Sequence, residues 1–419
     1  MQRLEIVANR SKALIVRPSS ILNYLIVVLL ILQQDSPYFL ATDINRLIWA
    51  AIMFLLLLLV IKKKKRILHP KIFLILTTTW VLIFIQYYLY GGGFTPAIIY
   101  KPVWLFYTTY LVYLLIGEQY YKYLFNVVYF VAVYTSILYL MHTLIPPFNT
   151  MLMSAFDSMY QYSWADWPRT ILIYSVPQDS GYMFMRNSGI FHEAGAYGIY
   201  LILAIILNTL YTGKPFSRKN IFLASVALTT FSTVTYIMLF SYYSFHVIST
   251  KTRSIIIKPI VLTMFIIITF TVYRDAQFLQ EKIYQRYETQ MHAVKDGKLN
   301  VRGRFYALMM TGKSISESPI FGRGIISENK YDVGDIGSFG YGLGGLFARY
   351  GLIFGVIYAI YYYQGYQVLS IRYNQSKSHG TIMFFVINLG LMSQIFFFHS
   401  PFIYPLFIKL FMDRKETTT

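Results

Sequence analysis

The chain has 419 residues, 56% hydrophobic and 13% charged, with 37 lysines and arginines against 18 aspartates and glutamates and no cysteine. A soluble domain carries about a quarter charged residues, so this composition, with mean hydropathy +0.49, excludes an ordinary soluble protein and reads as an all-α polytopic membrane protein. The formal charge of +19 comes with no nucleic-acid-binding pattern and is read as topogenic, and the lack of cysteine excludes disulfides and thiolate metal sites.

The first stretch, MQRLEIVANRSKALIVRPSS, is basic and has no small-residue cleavage site after a short apolar core, so it is expected to be a cytoplasmic tail. Apolar runs predict spans over 20–37 and 45–61, and KKKKR at 62–66 holds the next turn inside. The runs are continuous, whereas a β-barrel would alternate in short segments. A span over 70–90 ends outside at GGGFTP, residues 91–96. One over 98–117 returns to EQYYK, and one over 123–145 exits at Pro146 and Pro147. Residues 146–189, polar and aromatic, form the first external loop.

A span over 190–211 leads back to the basic TGKPFSRKN. Residues 221–249 are read as two short spans that turn near 229–235, because a single helix would leave Lys251, Arg253 and Lys258 outside. Non-helical backbone at membrane depth survives only where it is buried or lines a cavity, so this turn is expected to face a site. A span over 254–272 opens the second external loop, 272–342. There residues 276–294 have helical periodicity, and residues 304–318 read as a helix stopped by Pro319 and the glycines of FGRG. Runs at 343–366, 381–398 and 401–412 complete one integral membrane domain of about twelve spans, both termini cytoplasmic. No internal repeat is visible, which argues against transporters built from duplicated halves.

This topology gathers charge on the outer side. Arg186, His192 and Glu193 stand at the head of the sixth span, Arg302, Arg304, Arg323 and Asp335 in the second loop, and Lys101 at the outer end of the fourth span. Arginine keeps its charge and meets phosphate through a planar fork, so Arg302, Arg304 and Arg186 are candidates for binding a diphosphate. The other role open to them is anchoring to lipid headgroups. Glu193, His192 and Asp335 are candidates for a base. Glu193 is expected to be buried at the membrane boundary, with a raised pKa. It could equally orient an arginine, while His192 could bond the turn and Asp335 shape it. Trp164 and Trp167 suit a sugar face or an interfacial anchor, and Lys101 a phosphate or a snorkelling role. With no Asp-x-Asp pair and no Walker A pattern, neither metal nor other cofactor is expected.

Four segments, in this order, carry a resemblance: RNSGIFHEAGAYGIYL at 186–201, LTTFSTVTYIMLF at 228–240, RGRFYALMMTGKSISESPIFGRG at 302–324 and SFGYGLGGLFARYGLIFG at 338–355. They resemble the acidic span opening, the threonine–serine turn, the arginine–helix–Pro-x-x-Gly-x-Gly loop and the small-residue closing span of the bacterial O-antigen polymerase and O-antigen ligase superfamily. The resemblance covers roughly the C-terminal half. It implies a metal-independent, inverting glycosyltransferase at the outer face of the inner membrane. A polymerase moves a growing glycan from undecaprenyl diphosphate onto the next lipid-linked repeat unit, for O-antigen, capsule or exopolysaccharide. A ligase moves it onto lipid A–core. The implied partners are the lipid-linked oligosaccharide, membrane lipid, a chain-length regulator and a flippase.

Two departures matter. Thr233 follows Ser232 where the family turn has an arginine, and residues 327–342 lack the histidine that ligases carry. The second favours polymerase over ligase, and the base stays open among Glu193, His192 and Asp335. A lipid-linked oligosaccharide flippase is the alternative from another class; it would place charge deep in a central cavity and show paired halves.

Overall fold

The computed structural model describes residues 18–35, 44–63, 67, 69–90, 96–155, 170–171, 174–175, 185–249, 304–324, 342–392 and 399–412, with single helical residues at 263, 288 and 292. The N-terminal helices are α1 (Pro18–Asp35), α2 (Ile44–Lys62), α3 (Pro70–Tyr90), α4 (Pro96–Ile116), α5 (Tyr120–Leu144) and α6 (Pro146–Ala155). A minimal hairpin, β1 (Thr170–Ile171) and β2 (Tyr174–Ser175), pairs antiparallel with Thr170 opposite Ser175. Then come α7 (Ala194–Thr212), α8 (Arg218–Leu228), α9 (Thr233–Ser249), α10 (Arg304–Glu317), α11 (Gly342–Arg372), α12 (Lys377–Leu391) and α13 (Ser400–Met412).

Local chemistry sets many of these boundaries. Helices α1, α3, α4 and α6 open on proline, whose fixed φ suits the first turn and whose missing N–H is not needed there. Ser217 caps α8 by accepting from Asn220 N, and Ser376 caps α12 by accepting from His379 N. Gly213 closes α7 in the left-handed region at φ 67°, donating its N–H to Thr209 O.

The chain is a helical membrane protein. Among the described residues four helical stretches are long and apolar enough to cross a bilayer: Pro70–Leu89, Trp104–Leu144, Ala194–Thr212 and Gly342–Arg372. Trp104–Leu144 passes through Gly117, whose φ of 61° turns the path between α4 and α5. Shorter apolar helices, Ser20–Leu32, Ala50–Lys62 and Ser400–Phe411, fall on the first, second and last predicted spans. At the predicted spans 381–398 and 401–412 the described helices, Lys377–Leu391 and Ser400–Met412, have 15 and 13 residues. At a rise of about 1.5 Å per residue both fall short of the roughly 30 Å hydrocarbon core. The predicted span 254–272 lies outside the described residues apart from Thr263, and the periodic stretch 276–294 apart from Glu288 and His292, all three helical.

Helix α7 is the centre of the bundle, buried along almost its whole length and packed by α5, α8, α9 and α12. Its own residues permit this. A Cβ on Gly198 would fall 1.7 Å from Thr235 Oγ1, so only glycine lets α9 approach so closely. Tyr197 OH meets Thr135 Oγ1 of α5 at 2.8 Å, satisfying both hydroxyls inside the core. Helix α11 packs on α12 and α13, with Gly365 against the Pro405 carbonyl and the rings of Tyr120 and Tyr404 stacked nearby at 4.3 Å.

One end of the bundle carries the basic loops, and there the turns hold one another. Lys63 Nζ donates to Leu115 O at 3.1 Å, Gln375 Nε2 to Leu210 O at 3.4 Å, and Arg372 pairs with Glu118. Within the first predicted external loop Pro146 starts α6 and the hairpin follows. One expectation is corrected. The span expected at 343–366 is not one continuous helix, because Gly351 has φ 78° and ψ 169°.

Gly365→Ala should lower the thermal unfolding midpoint in detergent, because its Cβ would lie 2.1 Å from a backbone oxygen that cannot rotate away. The expected cost reaches or exceeds the usual overpacking penalty of about 1–3 kcal/mol. Gly312→Ala, whose Cβ would meet nothing within 4 Å, should leave the midpoint unchanged or raise it.

Candidate functional site at two breaks in the helical bundle

The RNSGIFHE segment does not begin the sixth span. Helix α7 starts at Ala194, with Glu193 extended at the N-cap and Tyr197 N bonded to Glu193 O at 3.1 Å. Residues 186–193 instead fold back beside the helix. Gly189, at φ 58°, makes the reversal, and Phe191 N donates to Ser188 O at 2.9 Å. The Phe191 ring stacks on Tyr197 and Tyr200 of α7, at 5.5 and 4.7 Å. Asn187, Ser188, Ile190 and Phe191 are all buried.

What this segment touches is the predicted turn. Helix α8 has only 11 residues, about 16 Å, so its end at Leu228 stops partway along α7. Residues 229–232 reverse the chain, and α9 begins at Thr233. Thr230, Ser232 and Thr235 are buried. Phe231 sits at φ 45°, a conformation that costs a bulky residue roughly 1–3 kcal/mol and persists only where its surroundings enforce it. Asn187 supplies much of that enforcement. Its N–H donates to Thr229 O and its Nδ2 to Thr229 Oγ1, both at 3.0 Å, while its Oδ1 accepts from Gly189 N at 3.1 Å. Arg186 Nε donates to Thr230 O at 3.3 Å.

The structure therefore joins Arg186 to the turn. That bond uses one of the guanidinium's five donors. His192 is half-buried and Glu193 exposed. The burial expected of Glu193 is corrected: the N-cap position turns it out of the core, where its charge suits the positive end of the helix dipole. Arg302, Asp335, Trp164 and Trp167 lie outside the described residues. Arg304 is the first residue of α10, and Lys101 lies in α4.

A second junction forms where α10 ends. The predicted stop at Ser318, Pro319 and FGRG is found, and the turn docks on the break in α11. Arg323 N donates to Ala348 O at 2.8 Å, Gly324 N to Arg349 O at 3.0 Å and Leu352 N to Pro319 O at 2.7 Å. Gly322 and Gly351 exist for this contact. A Cβ on Gly322 would lie 2.4 Å from Gly351 N, and one on Gly351 1.9 Å from Ile320 O. These glycines make the backbone approach possible. Gln86, from α3, closes the junction: its Nε2 donates to Phe321 O and to Arg349 O, both at 2.6 Å. The Arg323 guanidinium pairs with Glu317.

Gln86, Asn187 and Arg349 were not singled out from sequence. A lone amide in an apolar run is the one signal that Gln86 offered. The two junctions rest on different elements, the first on α7 to α9, the second on α3, α10 and α11. No group of three or more histidines and acids that could hold a metal occurs among the described residues. No family model matches the chain, and neither a curated protein nor a solved structure matches it.

The second junction is directly testable. A Cβ on Gly324 would lie 3.3 Å from the Cβ of Gln86, close to disulfide spacing, and the chain has no other cysteine. Gln86→Cys with Gly324→Cys should lose both free thiols on mild oxidation, measured by maleimide labelling; thiols that stay fully reactive would contradict the docking. Gln86→Leu, which removes the amide donor to the Phe321 and Arg349 carbonyls, should cost about 1–3 kcal/mol in thermal unfolding.

Proposed function

We propose that the chain is a membrane glycosyltransferase that polymerises undecaprenyl-diphosphate-linked oligosaccharide repeat units at the outer face of a bacterial inner membrane. The proposal includes about twelve spans with both termini cytoplasmic, on the positive-inside argument. The observation that carries it is Arg186, tied through Nε to Thr230 O of a non-helical turn, at the end of α7 away from the basic loops. An arginine anchored at that depth meets a lipid-borne diphosphate where the diphosphate lies. The four segments that resemble the polymerase and ligase superfamily support the same reading.

In this reaction the acceptor sugar's hydroxyl oxygen bonds to the donor's anomeric carbon as that carbon's bond to the diphosphate breaks. Arg186, Arg302 and Arg304 neutralise the departing diphosphate as the sugar gains oxocarbenium character. Arg304 opens α10, whose far end is fixed at the Gln86 junction, so α10 carries that arginine on a positioned element. The sequence offers Glu193 and His192 at the head of α7, and Asp335, as alternatives for the base. A chain-length regulator and a flippase are the expected partners.

A glycan gel of cells tests this. Deleting the chain should leave single repeat units at the surface and no ladder. Arg302→Ala, Arg304→Ala and Arg186→Ala should each shorten or abolish the ladder with the protein still in the membrane, and Arg186→Lys should rescue little, because lysine lacks the fork. Long unattached lipid-linked polymer in the deletion would mean a ligase. Absence of any repeat unit outside the inner membrane would mean a flippase.

A further inference from the structure

Two buried polar side chains beside the Arg186 segment have no partner, and nothing above uses them. His142 lies in the last turn of α5, 3% exposed, and neither its Nδ1 nor its Nε2 makes a hydrogen bond. Among the described residues it is the only buried histidine with both nitrogens in that state. Tyr174 of β2 is 2% exposed, and its hydroxyl also lacks a partner.

Both border the same stretch of chain. Tyr139, three residues before His142 and so on the same face of α5, donates its hydroxyl to Met185 O at 2.8 Å. Ser175, next to Tyr174, donates its N–H to Gly189 O at 2.6 Å. The segment 185–189 thus runs between α5 and β2, with Arg186 in it. Tyr174 lies within electrostatic range of Tyr139, and Tyr236 within range of both Tyr139 and Arg186.

A buried polar group without a partner is costly, and although others occur among the described residues, such as Thr235 and Ser314, these two border one segment of chain. A leucine or phenylalanine at either position would avoid that cost. Partners that arrive with a ligand account for the cost where the fold does not. The chemistry left open is one phenol and one imidazole beside a segment that carries an arginine, which suits a hydroxyl-bearing ligand whose neighbour is an anion.

We infer that His142 and Tyr174 form a subsite for the acceptor sugar's hydroxyl, beside the diphosphate held by Arg186. The inference rests on the glycosyltransferase reading and deepens it. Burial holds the Tyr174 phenol well above its ordinary pKa, so it stays protonated and donates. The neutral imidazole of His142 offers an acceptor nitrogen. It takes the proton from the attacking hydroxyl; the hydroxyl oxygen forms the new bond to the anomeric carbon, and the electron pair of the broken bond leaves with the diphosphate.

The test uses His142→Leu and Tyr174→Phe in cells, read by glycan gel, with thermal unfolding of each purified variant in detergent. The deletion strain runs beside them. Both variants should unfold at or above the wild-type temperature, because each removes an unsatisfied polar group. His142→Leu should cut the rate of ladder formation about 100-fold or more, the usual effect of losing a proton acceptor. Tyr174→Phe should lower it to a smaller extent. A normal ladder in both variants, where the deletion has none, overturns the subsite and leaves the polymerase reading standing. A His142→Leu protein that unfolds early or vanishes from the membrane marks the histidine as structural and also overturns it. A ladder that persists in the deletion strain removes the polymerase reading, and the subsite with it.

Discussion

Backbone that is not helical has nowhere to place its polar groups inside a membrane, and the two junctions of this protein are built around that constraint. At the first, α8 ends partway along α7 and the chain reverses through residues 229–232. The carbonyls of Thr229 and Thr230 find their donors on Asn187 and Arg186. At the second, α11 breaks at Gly351 and the SPIFGRG turn supplies backbone partners on both sides of the break, with one amide of Gln86 serving two carbonyls. Each break is therefore satisfied by a segment distant in sequence, and that segment is held in turn.

This reciprocity positions two of the candidate residues. Arg186 is held against the turn because its own Nε donates to Thr230 O. Helix α10 is fixed at its C-terminal end because Gly322 and Gly351 let two backbones meet, and so its first residue, Arg304, has a defined starting point. The central helix α7 gives these parts a common frame: Gly198 brings α9 in, Tyr197 ties it to α5, and Phe191 lays the re-entrant segment along its side. Strain at Phe231 and the unsatisfied nitrogens of His142 both lie by the same turn or the segment bound to it.

Much of this was legible in the sequence where a charge or a breaker residue marked it. The turn after α8 follows from Lys251, Arg253 and Lys258, which a single helix would have put on the wrong side. The end of α10 follows from Pro319 and FGRG. The break at Gly351 was not legible, because a glycine inside an apolar run of helical length reads as a continuous span until a second chain segment is known to insert there. The start of α7 was placed too early for a related reason: Ile190 and Phe191 are apolar because they pack against the side of the helix, and hydropathy does not distinguish that from belonging to it. Glu193 was assigned to the buried boundary from its position in a linear span, and the fold-back of residues 186–193 leaves it at an exposed N-cap. Gln86 and His142 carry one polar side chain each in long apolar stretches, and only their spatial neighbours tell them apart from solvent-facing or merely tolerated residues.

The most direct measurement is made with the purified full-length chain in proteoliposomes, given a synthetic undecaprenyl-diphosphate-linked repeat unit in the presence of a chelator. Glycans should lengthen on the lipid carrier, and one undecaprenyl diphosphate should be released for each unit added. Repeat units that stay single, or that cross the bilayer without lengthening, would contradict the account.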